Sequence, residues 1–165
     1  MKKIFALITI FILNLSLFAN GVKTPEVGEQ FPNLTFITME GKKVSLDSMK
    51  GKNILINFTA SWCPFCKEEK IKFKEDYSKF LKDRKDLEVL VVFGDYGRET
   101  KEAVKNYMEE NSYSFPIYYD QEKAIAKEIG LSKIPFNYFL DETGKIVEAK
   151  TYYYEIEALK PLLKK

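Results

Sequence analysis

Residues 54–69, ILINFTASWCPFCKEE, carry both cysteines of the chain and change hydrophobic period halfway along. Ile54 to Phe58 is a continuous apolar run, the pattern of a strand buried on both faces, and beyond the cysteines the pattern turns helical and rich in Lys and Glu. Cys63-Pro64-Phe65-Cys66 falls at the junction. A helix starting near Cys63 brings the two sulfurs within bonding reach, and Pro64 suits its first turn, where the missing N–H would have had no partner. Unpaired N–H groups and the positive end of the helix dipole favour a thiolate at Cys63, so its thiolate fraction is expected to exceed that of a free cysteine, with Cys66 shielded one turn in. Cys63 is then the expected nucleophile and Cys66 the resolving thiol of a redox-active disulfide, or the same steps reversed.

Two plainer readings of the pair fare worse. A zinc site needs three or four N/S ligands, and the chain has no His and only these two Cys, so no metal is expected. A structural bridge closing so small a loop removes little unfolded-state entropy. No cofactor is called for.

The 165 residues suit one domain, with 45% hydrophobic and 15% aromatic content to build a core. Formal charge is +2, and Lys2 and Lys3 lie in the first residues, so the body is near neutral and no nucleic-acid partner is indicated. Residues 1–19 read as an export signal: a basic start, an apolar stretch from Ile4 to Phe18, and small residues Ala19 and Gly21, after either of which cleavage is expected. The apolar stretch falls short of the roughly 20 residues needed to span a bilayer. Export would place the thiols where disulfides persist, in the periplasm or at the outer face of the cytoplasmic membrane.

Residues 20–30 read as a linker and 31–165 as the domain. Phe31–Met39 and Lys43–Leu46 suggest a hairpin around Glu40-Gly41. After the cysteines a helix is expected to end near Lys82, with Cys66, Phe73, Tyr77, Phe80 and Leu81 on one face and most of its charges solvated. Leu87–Phe93 reads as a strand, Ala103 to Met108 as a helix, Ile117–Tyr119 as a strand, and Glu122–Ile129 as a helix stopped by Gly130. Phe136–Leu140 and Lys145–Thr151 flank the turn Asp141-Glu142-Thr143-Gly144, and Glu155–Leu163 is helix-like, with Pro161 expected to bend or end it. Alternating β/α units followed by a hairpin predict an α/β fold with a mixed sheet covered by helices.

A strand, WCPFC at a helix start, and a later Ile-Pro before a terminal hairpin resemble the thioredoxin superfamily. GEQFPNLTF with GKKVSLDSMKGKNILINF, TASWCPFCKEE, and FPIYYD with IGLSKIPFNYFLDETGKIV resemble, more narrowly, its exported TlpA/ResA-like branch, which includes cytochrome c maturation reductases. The resemblance implies a thioredoxin-like central sheet with an N-terminal hairpin extension and thiol-disulfide oxidoreductase activity. The expected partners are disulfide-bearing or dithiol exported proteins and a membrane-bound electron donor or acceptor, and the chain is expected to be a monomer. It also implies that Ile134-Pro135 is a cis peptide facing the cysteines, with the Ile134 backbone pairing with substrate, and that Trp62 borders the reactive face. From the residues alone, Pro135 is an ordinary trans proline opening an edge strand and Trp62 plain core. Asn57 stands where thioredoxins carry a buried Asp. Glu69, one turn past Cys66, matches a Glu of ResA-like proteins and is the candidate proton carrier; read by itself it is one more solvated Glu. Pro64 directly after the first Cys departs from the branch, whose proline usually precedes the second, and Ile71 replaces a proline that commonly kinks this helix. A peroxiredoxin would need Pro and Thr or Ser where Ile56 and Ala60 stand. The reading from another class is a non-catalytic binding or metal-carrier module.

Overall fold

In this computed structural model the described residues are 22–94, 96–152 and 159–163. The expected export signal at 1–19 lies outside them, as do residues 155–158 of the helix expected over 155–163, of which Lys160–Leu162 form a single 3-10 turn.

Thr35–Ile37 (β1) and Lys43–Ser45 (β2) form a small antiparallel pair, with Phe36 opposite Val44. A five-stranded mixed sheet is built from β3 (Asn53–Thr59), β4 (Leu87–Gly94), β5 (Ile117–Asp120), β6 (Phe136–Leu140) and β7 (Ile146–Thr151) in the order β5-β4-β3-β6-β7. β3, β4 and β5 run parallel, joined through helices α1 (Pro64–Asp76) and α2 (Lys101–Glu110), while β6 and β7 run antiparallel as a hairpin against β3. β3 is central, and all seven of its residues are buried, as its unbroken apolar pattern requires.

Alternate residues of the strands feed two cores. Leu55, Val89, Val91, Phe93 and Phe139 pack with Phe73 and Leu81 of the first crossover and Val104, Tyr107 and Met108 of α2. On the other face Ile54, Ile56, Phe58, Leu90, Val92, Tyr138 and Leu140 meet Phe31, Leu34, Phe36, Leu46 and Met49. The short helix α3 (Ala124–Glu128) adds Ile125 to this second core. The expected linker lies along the domain: Gly28 N–H donates to Ile146 O, Thr24 Oγ1 to Gly130 O, and Gln30 bridges Lys145.

Two local expectations change. The helix expected from Glu122 begins at Ala124, because Glu122 and Lys123 take left-handed φ values of 56° and 58°. The first crossover helix does run to Leu81, through a wider five-residue turn at Tyr77–Leu81, but Phe80 is 43% exposed whereas Glu69, Lys70 and Asp76 are buried. Its inner face is thus partly charged, since polar groups on β3 and β6 receive it.

Candidate active site

The chain leaves β3 at Thr59 and enters α1 at Pro64, which fills the first helical position. Cys63 is the N-cap, in extended backbone, and its Sγ accepts the Cys66 N–H at 3.4 Å, a role usually taken by a Ser, Thr, Asp or Asn oxygen. Both cysteines are free thiols, 5% and 0% exposed. Burial first, and the hydrogen bond with Cys63 second, push the Cys66 thiol up to about 12. Cys66 is therefore protonated at neutral pH, and an incoming reagent meets Cys63 first.

Ala60, Tyr96 and Ile134 pack around the pair. The Ile134-Pro135 peptide is cis, with Ile134 half-buried against the sulfurs and Pro135 buried. Trp62 lies at the rim rather than in the core, 37% exposed, with the Arg98 guanidinium 5.8 Å from its ring centroid. The sequence-derived residues Trp62, Cys63, Cys66, Ile134 and Pro135 thus come together at the carboxyl end of β3 and the start of β6. Glu69 is 5% exposed, on the inner face of α1.

There it joins a closed polar network. Glu69 Oε2 accepts from Asn57 Nδ2 at 2.9 Å and from Lys70 Nζ at 3.1 Å, and Oε1 accepts from Asn137 Nδ2 at 2.7 Å. Lys70 Nζ also donates to Asn57 Oδ1 at 2.5 Å, and Asn57 Nδ2 to Asn137 Oδ1 at 2.7 Å. Lys70 is 0% exposed, with its ammonium 5.6 Å from the Phe73 ring centroid. The carboxylate and ammonium offset each other, and the two amides satisfy their remaining valences, the condition under which a buried ion pair is tolerated. Asn57 and Asn137 are directly opposed in the β3–β6 register, which brings residues 80 positions apart to one point.

Sequence reasoning missed Lys70 and Asn137. It also missed Glu99, 3% exposed, whose carboxylate accepts the Ser61 N–H at 2.5 Å and the Ser61 hydroxyl at 2.6 Å, pinning the loop that carries Trp62 and Cys63. Nothing in the local pattern marks Lys70 or Glu99 as buried; only Asn57, standing in place of an Asp, hinted at polar chemistry under the motif. Among the described residues no three of His, Cys, Asp and Glu gather as a metal-binding group. A forward thiol at a helix tip, with a protonated thiol behind it, is an arrangement suited to disulfide exchange.

Comparison with known proteins gives the same class. The Redoxin family model matches residues 26–158. Thiol-disulfide oxidoreductase ResA of Bacillus thuringiensis is 32% identical over 155 residues, covering 94% of this chain and 86% of the relative. The crystal structure of StoA from Bacillus subtilis superposes with a TM-score of 0.66 at 28% identity, over 84% of this chain and 98% of the other. The exposed lipoprotein thioredoxin of Streptococcus pneumoniae does so with a TM-score of 0.65 at 25% identity, over 79% and 100%. With the CxxC pair set at the start of α1 in a thioredoxin fold, the chain belongs to the Redoxin family, as a ResA-like thiol-disulfide oxidoreductase.

Proposed function

We propose that the protein exchanges disulfides with protein partners outside the cytoplasm through Cys63 and Cys66. The observation that carries the reading is the asymmetry of the pair: Cys63 caps the helix and keeps 5% of its surface exposed, while Cys66 keeps none and its thiol is raised to about 12. In the reducing direction the Cys63 thiolate attacks one sulfur of a partner disulfide. A Cys63–partner bond forms, and the other partner sulfur leaves as a thiolate that takes up a proton. Cys66 then gives up its proton and attacks the Cys63 sulfur, closing the Cys63–Cys66 disulfide and releasing the second partner thiol. Two electrons pass to the partner, and the reverse sequence oxidises it. Glu69, one turn past Cys66 and accepting from three donors, is proposed as the acceptor of the Cys66 proton. Ile134 and Trp62 are proposed as the flanks between which the partner lies, and Pro135 as the residue that sets Ile134 there. Placement outside the cytoplasm is supported by the composition of residues 1–19 and by an exposed lipoprotein among the structural relatives.

Insulin reduction by the dithiol form tests the chemistry, with Cys66→Ala expected to accumulate a mixed disulfide and Cys63→Ala to form none. The opposite trapping pattern would reverse the two roles, and no turnover by the wild type would remove the activity.

A further inference from the structure

Cys63 lies in a notch rather than on an open surface. The residue is only 5% exposed, yet its sequence neighbours Trp62 and Phe65 are 37% and 54% exposed, and Tyr152, which meets Phe65, is 51% exposed. Phe65 sits between the two cysteines in sequence, and its ring meets that of Tyr152 edge to face, centroids 5.6 Å apart. Tyr152 holds a φ of 66°, a left-handed conformation that a bulky L-residue rarely enters and that glycine would take without strain. Its carbonyl is fixed there by Asn137 Nδ2 at 2.8 Å, the same nitrogen that donates to Glu69. The fold thus keeps an unfavourable backbone rotation at a position where a half-exposed tyrosine ring lies against Phe65 of the Cys63–Cys66 motif, and that ring contributes nothing to either core.

We propose that Phe65 and Tyr152 form a recognition lip for an aliphatic or aromatic side chain next to the reacting cysteine of an extended polypeptide. The proposal rests on the disulfide-exchange reading. A sulfur as enclosed as Cys63 is reached by a thin, flexible segment rather than by a bridge set in a rigid surface. Once the partner sulfur is bonded to Cys63, the residue beside it lies within reach of Phe65, two positions along this chain. Two rings in edge-to-face contact offer that residue an apolar wall and no charge, so a phenylalanine or leucine side chain gains from contact where a serine does not.

The test uses two short peptides, each with one cysteine in a mixed disulfide with cysteamine, identical except for Phe or Ser beside the cysteine. Stopped-flow rate constants for exchange with the reduced protein give a Phe/Ser ratio. The wild type is expected to favour the Phe peptide by about tenfold, the scale set by apolar contacts at such sites. Tyr152→Gly and Phe65→Ser should bring the ratio towards one and Tyr152→Phe should retain it, with the melting temperature of Tyr152→Gly not below that of the wild type. A wild-type ratio near one, or a ratio unmoved by both variants, overturns the lip while leaving disulfide exchange standing. Failure of both peptides to react at all overturns the exchange reading and the lip with it.

Discussion

Reactivity at the cysteines is divided by a difference of position of only three residues. With its thiol raised to about 12, Cys66 has a thiolate fraction that climbs about tenfold per pH unit throughout the range below that value. In Cys63→Ala, alkylation of Cys66 should therefore keep rising from pH 7 to about pH 10 without a plateau. Removing Cys63 takes away only the secondary cause of the shift and leaves burial, so a plateau near the ordinary thiol value of about 8.5 would contradict the shielding. Lys70 poses the complementary case of a charge with no access to water. Lys70→Met leaves the Glu69 carboxylate buried without its counter-ion and should cost about 3–5 kcal/mol in urea unfolding, whereas adding Glu69→Gln to it should recover a sizeable part. Glu69→Gln alone is expected to change the pH profile of thiol alkylation; an unchanged profile would leave Glu69 a purely structural partner of Lys70.

Among the strands and helices, legibility in the sequence depends on how local the cause is. The β3-to-α1 junction is legible because an apolar run, a proline at the first helical position and a switch of period all act within a few residues. The β6–β7 hairpin is legible through its Asp141–Gly144 turn, where Asp141 Oδ1 accepts from Thr143 N–H at 2.8 Å. Lys70 is not, since its burial depends on Asn57 from β3 and, through Glu69, on Asn137 from β6. The late start of α3 is hidden for a similar reason: Glu122 and Lys123 turn left-handed without a Gly or Asn to announce it, while buried Asp120 accepts the Ile125 and Ala126 N–H groups. Burial raises the Asp120 carboxyl above its ordinary value despite those bonds. α2, by contrast, has an ordinary cap, Thr100 Oγ1 accepting the Ala103 N–H at 3.1 Å. Thr100→Ala should lower stability by about 1 kcal/mol with little effect on exchange rates; a severe loss of activity would show that α2 also orders the neighbouring Glu99 clamp.

The domain as a unit depends on covering both faces of one sheet. The second face lies under Phe31, Leu34, Phe36, Leu46 and Met49, all N-terminal to the first central strand. A chain beginning at Lys52 would expose that face and is expected to lose its cooperative thermal transition by circular dichroism, even though every cysteine and every member of the Glu69 network is retained. Within the intact fold, Phe73→Ala should cost about 3–5 kcal/mol, since Phe73 is 0% exposed and stacks edge to face on Phe115 at 5.1 Å.

The enclosure of Cys66 directly behind Cys63 also bears on damage by peroxides. An oxidant that converts Cys63 to a sulfenic acid leaves it beside an intact thiol, and condensation of the two expels water and closes the ring, a route that competes with further oxidation to the irreversible sulfinic state. The same packing that delays Cys66 in exchange thus keeps in reserve a thiol able to condense with its oxidised neighbour.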